Sequence, residues 1–139
     1  TNDPFVIAQN DNMVSINTAL EIDLTGQICS ESIGSRMYSG TGGATDFAYG
    51  ALHSKGGRGI IAISSTAKKG TMTKIKPQLT PGAVVTISRN LADTIITEYG
   101  VAYMKGRTIP ERAKALIQIA HPDFRDELTF EARKLGLIL

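Results

Sequence analysis

The stretch SGTGGATDFAYGALHSKGGRGIIAI, from Ser39 to Ile63, decides the fold class. It opens on glycines at 40, 42 and 43, continues with Phe47, Ala48, Ala51 and Leu52 at helical spacing, and closes on the apolar run Ile60 to Ile63. Thr45 and Asp46 offer N-caps for the helix, and Lys55-Gly56-Gly57 supplies its end. Ile60 to Ile63 is short and β-branched, which predicts a strand covered on both faces. A glycine loop feeding a helix and then a buried strand is a piece of α/β architecture.

Upstream of it the chain reads as short strands. Phe5 to Ala8 forms one. Leu20 to Leu24 forms another, with Leu20, Ile22 and Leu24 inward and Glu21 and Asp23 outward. Thr25-Gly26 turns the chain and Gln27 to Ser30 returns, giving a β-hairpin. Ile33 to Gly43 holds four glycines in eleven residues and reads as a loop with special backbone geometry.

Downstream, Ala83 to Ile87 repeats the buried-strand pattern, and Ile95 to Glu98 and Val101 to Tyr103 are further short strands. Thr108 caps a helix with Glu111 at capping-box spacing and Pro110 in its first turn; Ala113, Leu116, Ile117 and Ala120 form its apolar stripe. His121-Pro122 breaks that helix, and a second runs from Asp123 to Lys134 with Phe124, Leu128 and Ala132 on one face. The fold expected is a mixed, open α/β sheet with flanking helices.

Composition bounds the function. The 139 residues, 42% hydrophobic and 20% charged, suit one soluble globular domain. Fifteen basic residues against thirteen acidic ones give a net charge of +2, with the signs interspersed, so a nucleic-acid partner is not expected. The lone Cys29 rules out an internal disulfide framework and is compatible with a reducing cytoplasm. No apolar run is long enough to span a bilayer, and the start lacks the pattern of a signal peptide. An opening on Thr1 fits a fragment, a processed chain or one whose initiator Met is gone.

The loop Ser39 to Gly43 is the strongest chemical feature. Glycines let a backbone approach a ligand closely, and N–H groups leading into a helix suit a phosphate or a polarised carbonyl oxygen. The same pattern also fits a tight strand-to-helix connection with no ligand. No Gly-Lys-Ser or Gly-Lys-Thr follows, so it is not a Walker loop. Ser64-Ser65-Thr66-Ala67-Lys68-Lys69-Gly70 follows a strand, where ligands bind in open α/β sheets, and its hydroxyls and lysines suit phosphate oxygens; a solvated turn is the alternative.

Other chemistries find no support. His53 and His121 have no metal-ligating neighbours at suitable spacing, so no zinc site is expected. Cys29 reads as a small core residue in a strand, and there is no Gly-x-Ser-x-Gly elbow. A carboxylate nucleophile leaves no spacing signature. Glu98, after a hydrophobic strand, is the one to test, and a paired or solvated strand-end glutamate is its alternative; Glu21 and Glu31 stand behind it.

Taken together, ALEIDLTGQICSES, IGSRMYSGTGGATDFAYGALHSKGG, ISSTAKKGTMTKIKP and VTISRNLADTIITEYGVAYMKGRTIPERAKALIQIAHPDFRDEL resemble, in order and spacing, the C-terminal portion of the acetyl-CoA hydrolase/transferase family. The likeness covers nearly the whole chain. It implies the second domain of the CoA-transferase superfamily, incomplete, over residues 1–139 of a longer two-domain enzyme. It implies CoA transfer between carboxylates, of the 4-hydroxybutyrate or butyrate and acetate type, through a glutamyl-CoA thioester and without a metal. Alternatives are acetyl-CoA hydrolysis on the same scaffold and a non-catalytic CoA-binding module.

By this resemblance Gly42 and Gly43 make backbone oxyanion contacts, Ser39 and Gly40 shape the CoA-binding loop, and Lys68 meets a CoA phosphate. Asp46 and Phe47 fix the loop onto its helix. The family's nucleophilic glutamate lies upstream of Asn2, so no glutamate here is assigned that role. Ala44 stands where the family commonly carries Gln. The implied partners are an acyl-CoA, a small carboxylate and the missing N-terminal domain, in a cytoplasmic protein that could self-associate through the surface this leaves open.

Overall fold

The computed structural model describes residues 2–139. In chain order the elements are α1 (Pro4–Ala8), β1 (Val14–Asn17), β2 (Glu21–Asp23), β3 (Ile28–Cys29), β4 (Ser32–Ile33), β5 (Arg36–Met37) and α2 (Ala44–His53). They continue with β6 (Arg58–Ala62), β7 (Thr66–Ala67), β8 (Met72–Thr73), β9 (Ile75–Lys76), β10 (Thr94–Thr97), β11 (Gly100–Tyr103), α3 (Ile109–Ile119) and α4 (Pro122–Lys134). This is the mixed α/β arrangement expected, with open sheets and flanking helices.

The main sheet has the order β1-β6-β10-β11. β1, β6 and β10 are parallel, and β11 returns antiparallel from β10. Cross-strand partners share a face, so Ser15, Gly59, Ile95 and Ala102 look the same way. Helices α2 and α3 lie on that side. Ala48 of α2 stands beside Gly59, and the Thr97 hydroxyl donates to the Ile119 carbonyl at the end of α3 at 2.6 Å. The core there is built from Ala48, Ile61, Ile95, Ala102, Ala113 and Leu116.

The opposite face is not covered. Ile61 and Ile63 are buried, whereas Ala62 is exposed and Ile60 half-buried, which corrects the expectation that this strand is enclosed on both sides. Continuous apolar sequence marks a strand suited to burial on both faces, and the described chain supplies helices for one.

A second sheet, β3-β2-β9, holds the hairpin expected around Thr25-Gly26. Its polar positions differ from expectation: Glu21 and Asp23 are both only 5% exposed. Each is buried because its charge is satisfied. Glu21 accepts from the Thr80 N–H at 2.8 Å and hydroxyl at 2.9 Å, with Lys76 Nζ at 3.8 Å. Asp23 Oδ1 accepts from the Thr25 and Gln27 amides and the Thr25 hydroxyl.

Three local expectations are also corrected. Phe5 to Ala8 is helical, because Asp3 accepts from the Phe5 N–H at 2.9 Å and Pro4 presets the first turn. Ala83 to Ile87 is irregular apart from an Ile28–Ile87 bridge; Val84 N–H donates to the Ser32 hydroxyl instead of a ladder. The glycine-rich stretch from Ile33 is not all loop, since β4 and β5 pair across a turn in which Gly34 has φ +57°.

The closing helices follow the sequence reading. Thr108 and Glu111 form the reciprocal capping box at the start of α3, and His121 and Pro122 open α4. Leu128 and Ala132 are buried and Phe124 packs against the core.

Candidate functional site

Topology selects one end of the main sheet. α2 turns tightly through residues 54–57, closed by the Gly57 N–H to Ser54 carbonyl bond at 3.0 Å, and β6 runs back beneath it. The N-terminus of α2 therefore lies at the C-terminal ends of β6 and β10. The glycine loop, Ser64-Ser65 and Glu98 gather at this end, where open α/β sheets bind ligands.

The loop is held at both ends. At its start the Glu31 carbonyl accepts from the Tyr38 and Ser39 amides at 2.7 and 3.1 Å. At its end the Thr45 hydroxyl donates to the Thr86 carbonyl at 2.7 Å. The two anchors are joined: the Thr86 hydroxyl donates to Glu31 Oε2 at 2.7 Å and accepts from the Ser30 amide at 2.9 Å.

Between those anchors the loop faces open space. A side chain placed on Gly40 or Gly42 would meet nothing within 4 Å, and neither residue has a positive φ. The described chain itself gives no steric reason for glycine at either position. Gly43 differs, since a Cβ there would come 2.5 Å from the Asn2 amide nitrogen. Gly43 is also the N-cap of α2, and no side chain caps this end. Thr45 and Asp46 do not act as the expected N-caps: Thr45 is spent on Thr86, and Asp46 sits in the first turn, where its charge complements the helix dipole. The first-turn amides remain available to an oxygen ligand.

Lys68 lies at the tip of the β7–β8 hairpin, exposed, with φ +49°, followed by Lys69 at +57° and Gly70 at +84°. The turn is fixed by the Thr71 hydroxyl and amide donating to the Lys68 carbonyl at 2.8 and 3.2 Å. Lys74 adds a second cation near the strand end, its Nζ 3.4 Å from the Ser64 hydroxyl; sequence reasoning passed over it.

Glu98 follows β10 directly, in the turn to β11, and accepts from the Ser65 amide at 2.7 Å. Hydrogen bonding from the Ser65 side chain, which outweighs the opposing effect of burial and is aided by the Ser65 amide and by His121, holds the Glu98 carboxyl below the usual carboxylate range. An exposed carboxylate kept ionised in this way is a paired strand-end group, unlike a desolvated nucleophile. Glu21 and Glu31 are both engaged by threonines. Cys29 is fully buried in β3.

A cleft of about 570 Å³ runs between the Pro77–Ala83 segment and Leu135 and Leu137. None of Ser39 to Gly43, Lys68 or Glu98 lines it. No helix among the described residues is long and apolar enough to cross a membrane.

Comparison with known proteins matches the chain to a family. The family described as the acetyl-CoA hydrolase/transferase C-terminal domain matches residues 1–132. The 4-hydroxybutyrate coenzyme A transferase of Clostridium kluyveri is 58% identical over 133 residues, 96% of this chain and 31% of that protein. The butyryl-CoA:acetate CoA-transferase of Anaerostipes caccae is 49% identical over 137 residues, with 96% of this chain and 31% of that protein covered. The crystal structure of RipA from Yersinia pestis superposes with a TM-score of 0.92 at 52% identity, over 99% of this chain and 31% of that one. This chain thus spans less than a third of the length of these relatives. On the match over residues 1–132, the chain belongs to the acetyl-CoA hydrolase/transferase family, within its C-terminal domain.

Proposed function

We propose that this chain is the CoA-facing part of a longer acyl-CoA:carboxylate CoA-transferase, and that the loop from Ser39 to Gly43 meets the acyl thioester. One observation carries this reading: Gly40 and Gly42 lie at the ligand-binding end of the sheet, in open space, with no requirement for glycine arising inside the described chain. Close approach of a substrate is a reason for glycine that such a site supplies. The names of the relatives, transferases of 4-hydroxybutyrate and of butyrate and acetate, supply the class of acyl group and acceptor.

In this reading the nucleophile is a glutamate outside the chain. Its carboxylate attacks the acyl-CoA carbonyl and expels CoA thiolate, leaving an acyl-glutamyl anhydride. The thiolate then attacks the glutamyl carbonyl, releasing the first carboxylate and forming a glutamyl thioester, and the second carboxylate reverses both steps. Negative charge develops on a carbonyl oxygen at each addition. The backbone N–H groups of Gly42 and Gly43, with the uncapped start of α2, are the donors placed to receive it.

Ser39 and Gly40 shape the loop for CoA, and Lys68, at a hairpin tip, reaches a CoA phosphate as a mobile point charge. None of these steps calls on a metal. A cytoplasmic location suits a CoA substrate and a single unpaired cysteine.

The test is transfer against hydrolysis. The longer protein carrying this chain, given acetyl-CoA with 4-hydroxybutyrate or butyrate, should form the new acyl-CoA and release no thiol beyond the uncatalysed rate. Thiol release that ignores the added carboxylate would assign a hydrolase, and CoA binding with neither reaction would assign a binding module.

A further inference from the structure

Among the described residues four lysines and arginines are half-buried, Lys74, Lys76, Arg112 and Arg125, and the others are exposed. Three of the four have an anion or carbonyls to answer their charge. Lys76 faces Glu21 at 3.8 Å, Arg112 donates to three carbonyls, and Arg125 donates to the Ala120 carbonyl at 3.0 Å and lies over the Tyr99 ring. Lys74 has only the Ser64 hydroxyl, at 3.4 Å. Half-burying an ammonium costs free energy that one long hydrogen bond to a neutral hydroxyl does not offset. The residue is also fixed at its root. Its N–H donates to the Ser65 carbonyl at 2.8 Å and its carbonyl accepts from the Ile22 amide at 3.0 Å, which clamps it between the end of β6 and β2. Ser64 donates its own proton to the Thr66 carbonyl at 3.3 Å, so an oxygen lone pair is left for Lys74. The ammonium thus stands at the base of the β7–β8 hairpin, beside the strand end where the Ser65 amide meets Glu98, while Lys68 stands at the exposed tip.

We propose that Lys74 binds the carboxylate of the small acceptor substrate. The inference rests on the transferase reading, in which an anionic acceptor must approach a strand end where the Glu98 carboxylate already stands. A fixed cation beside that end offsets the repulsion, and an ammonium–carboxylate hydrogen bond is among the strong ones. Position separates the two anions that such an enzyme handles. The phosphates of CoA lie at the far end of its pantetheine arm from the thioester, which suits the hairpin tip. The acceptor carboxylate reacts at the thioester end, which suits the hairpin base. Lys68 therefore serves a phosphate and Lys74 the acceptor.

Steady-state kinetics of the longer protein test it, with acetyl-CoA as donor and butyrate as acceptor. Lys74→Met should raise the KM for butyrate on the order of 10- to 100-fold, the loss of one charged hydrogen bond, and leave the KM for acetyl-CoA within about twofold. Lys74→Arg keeps the charge and should recover most of the loss. A raised KM for acetyl-CoA with that for butyrate unchanged would overturn the proposal and assign Lys74 to CoA. Unchanged values for both, with a lower melting temperature, would overturn it as well and pair Lys74 with a carboxylate elsewhere in the longer protein. Transfer that proceeds with butyrate binding indifferent to Lys74 refutes this assignment alone. An unmodified protein that transfers no CoA refutes the transferase reading, and this assignment with it.

Discussion

The hydroxyl of Thr86 donates to the carboxylate of Glu31 at 2.7 Å across 55 positions of sequence. Through this pair the two ends of the glycine loop share one support, Ser39 on the Glu31 carbonyl and Thr45 on the Thr86 carbonyl. Replacing Thr86 by Val removes the donor to a buried carboxylate and the acceptor of the Ser30 amide, so unfolding should become easier by about 1–3 kcal/mol. Amide exchange across residues 39–43 should quicken as well. Thr86→Ser keeps the hydroxyl and should restore both, as denaturant titration and exchange mass spectrometry would read.

Gly42 separates a functional glycine from a structural one. A side chain there meets no neighbour and the backbone is not left-handed, so Gly42→Val should leave stability within about 0.5 kcal/mol. If the thioester approaches the loop as closely as glycine allows, the valine side chain should displace it, and CoA transfer by the longer protein should fall on the order of 100-fold. Thermal melting and turnover measured on the same preparation would show the split.

Gly26 and Arg112 make the opposite case. The Arg112 guanidinium has no carboxylate partner among the described residues and donates to the Thr25 carbonyl at 3.2 Å, the Arg89 carbonyl at 2.8 Å and, from Nε, the Arg107 carbonyl at 3.2 Å. Gly26 has φ +95°, and a Cβ on it would stand 2.9 Å from the Arg112 Nη1. Gly26→Ala combines left-handed strain with displacement of that clamp and should destabilise by about 1–3 kcal/mol. Arg112→Met should do so by about 2–3 kcal/mol, the loss of charged hydrogen bonds. Chemical denaturation would check both.

Glu98 gives a pH dependence with a definite sign. Its carboxyl in the folded chain titrates below the usual range because Ser65 hydrogen-bonds the ionised form. The stabilisation is therefore present above the ordinary carboxylate pKa and is lost as pH falls through the lower folded value. The melting temperature of Glu98→Gln should lie below that of the parent chain at neutral pH, and the two should converge in acid. A gap that widens on acidification would contradict the assignment.

Thr108 offers a local control. Thr108→Ala breaks the capping box with Glu111 and should cost about 1 kcal/mol without touching the glycine loop. Melting and CoA binding, measured together, would show the first changed and the second unchanged.

Features written in adjacent residues were legible in the sequence. The capping box at Thr108, the break at His121-Pro122, the hairpin at Thr25-Gly26 and the helix after the glycines all rest on neighbours or near-neighbours. Features that depend on distant partners were not, and two local ones, the Asp23 turn and the Asp3 cap, were outweighed by a strand-like pattern. Glu21 and Asp23 alternate like surface positions, and only the Thr80 segment and the Asp23 turn reveal why they are buried. Phe5 to Ala8 has strand-like side chains, and the cap from Asp3 with Pro4 prevails over that preference. The site was legible as a glycine loop; its Glu31–Thr86 support was not, because no local pattern links positions 55 residues apart.

The most direct measurement is amide hydrogen exchange of the longer protein with and without acetyl-CoA. New protection is expected at residues 40–45, the open glycines and the uncapped first turn of α2. Protection elsewhere in the domain, with exchange at 40–45 unchanged at saturating acetyl-CoA, would contradict it and remove the glycine loop from the site.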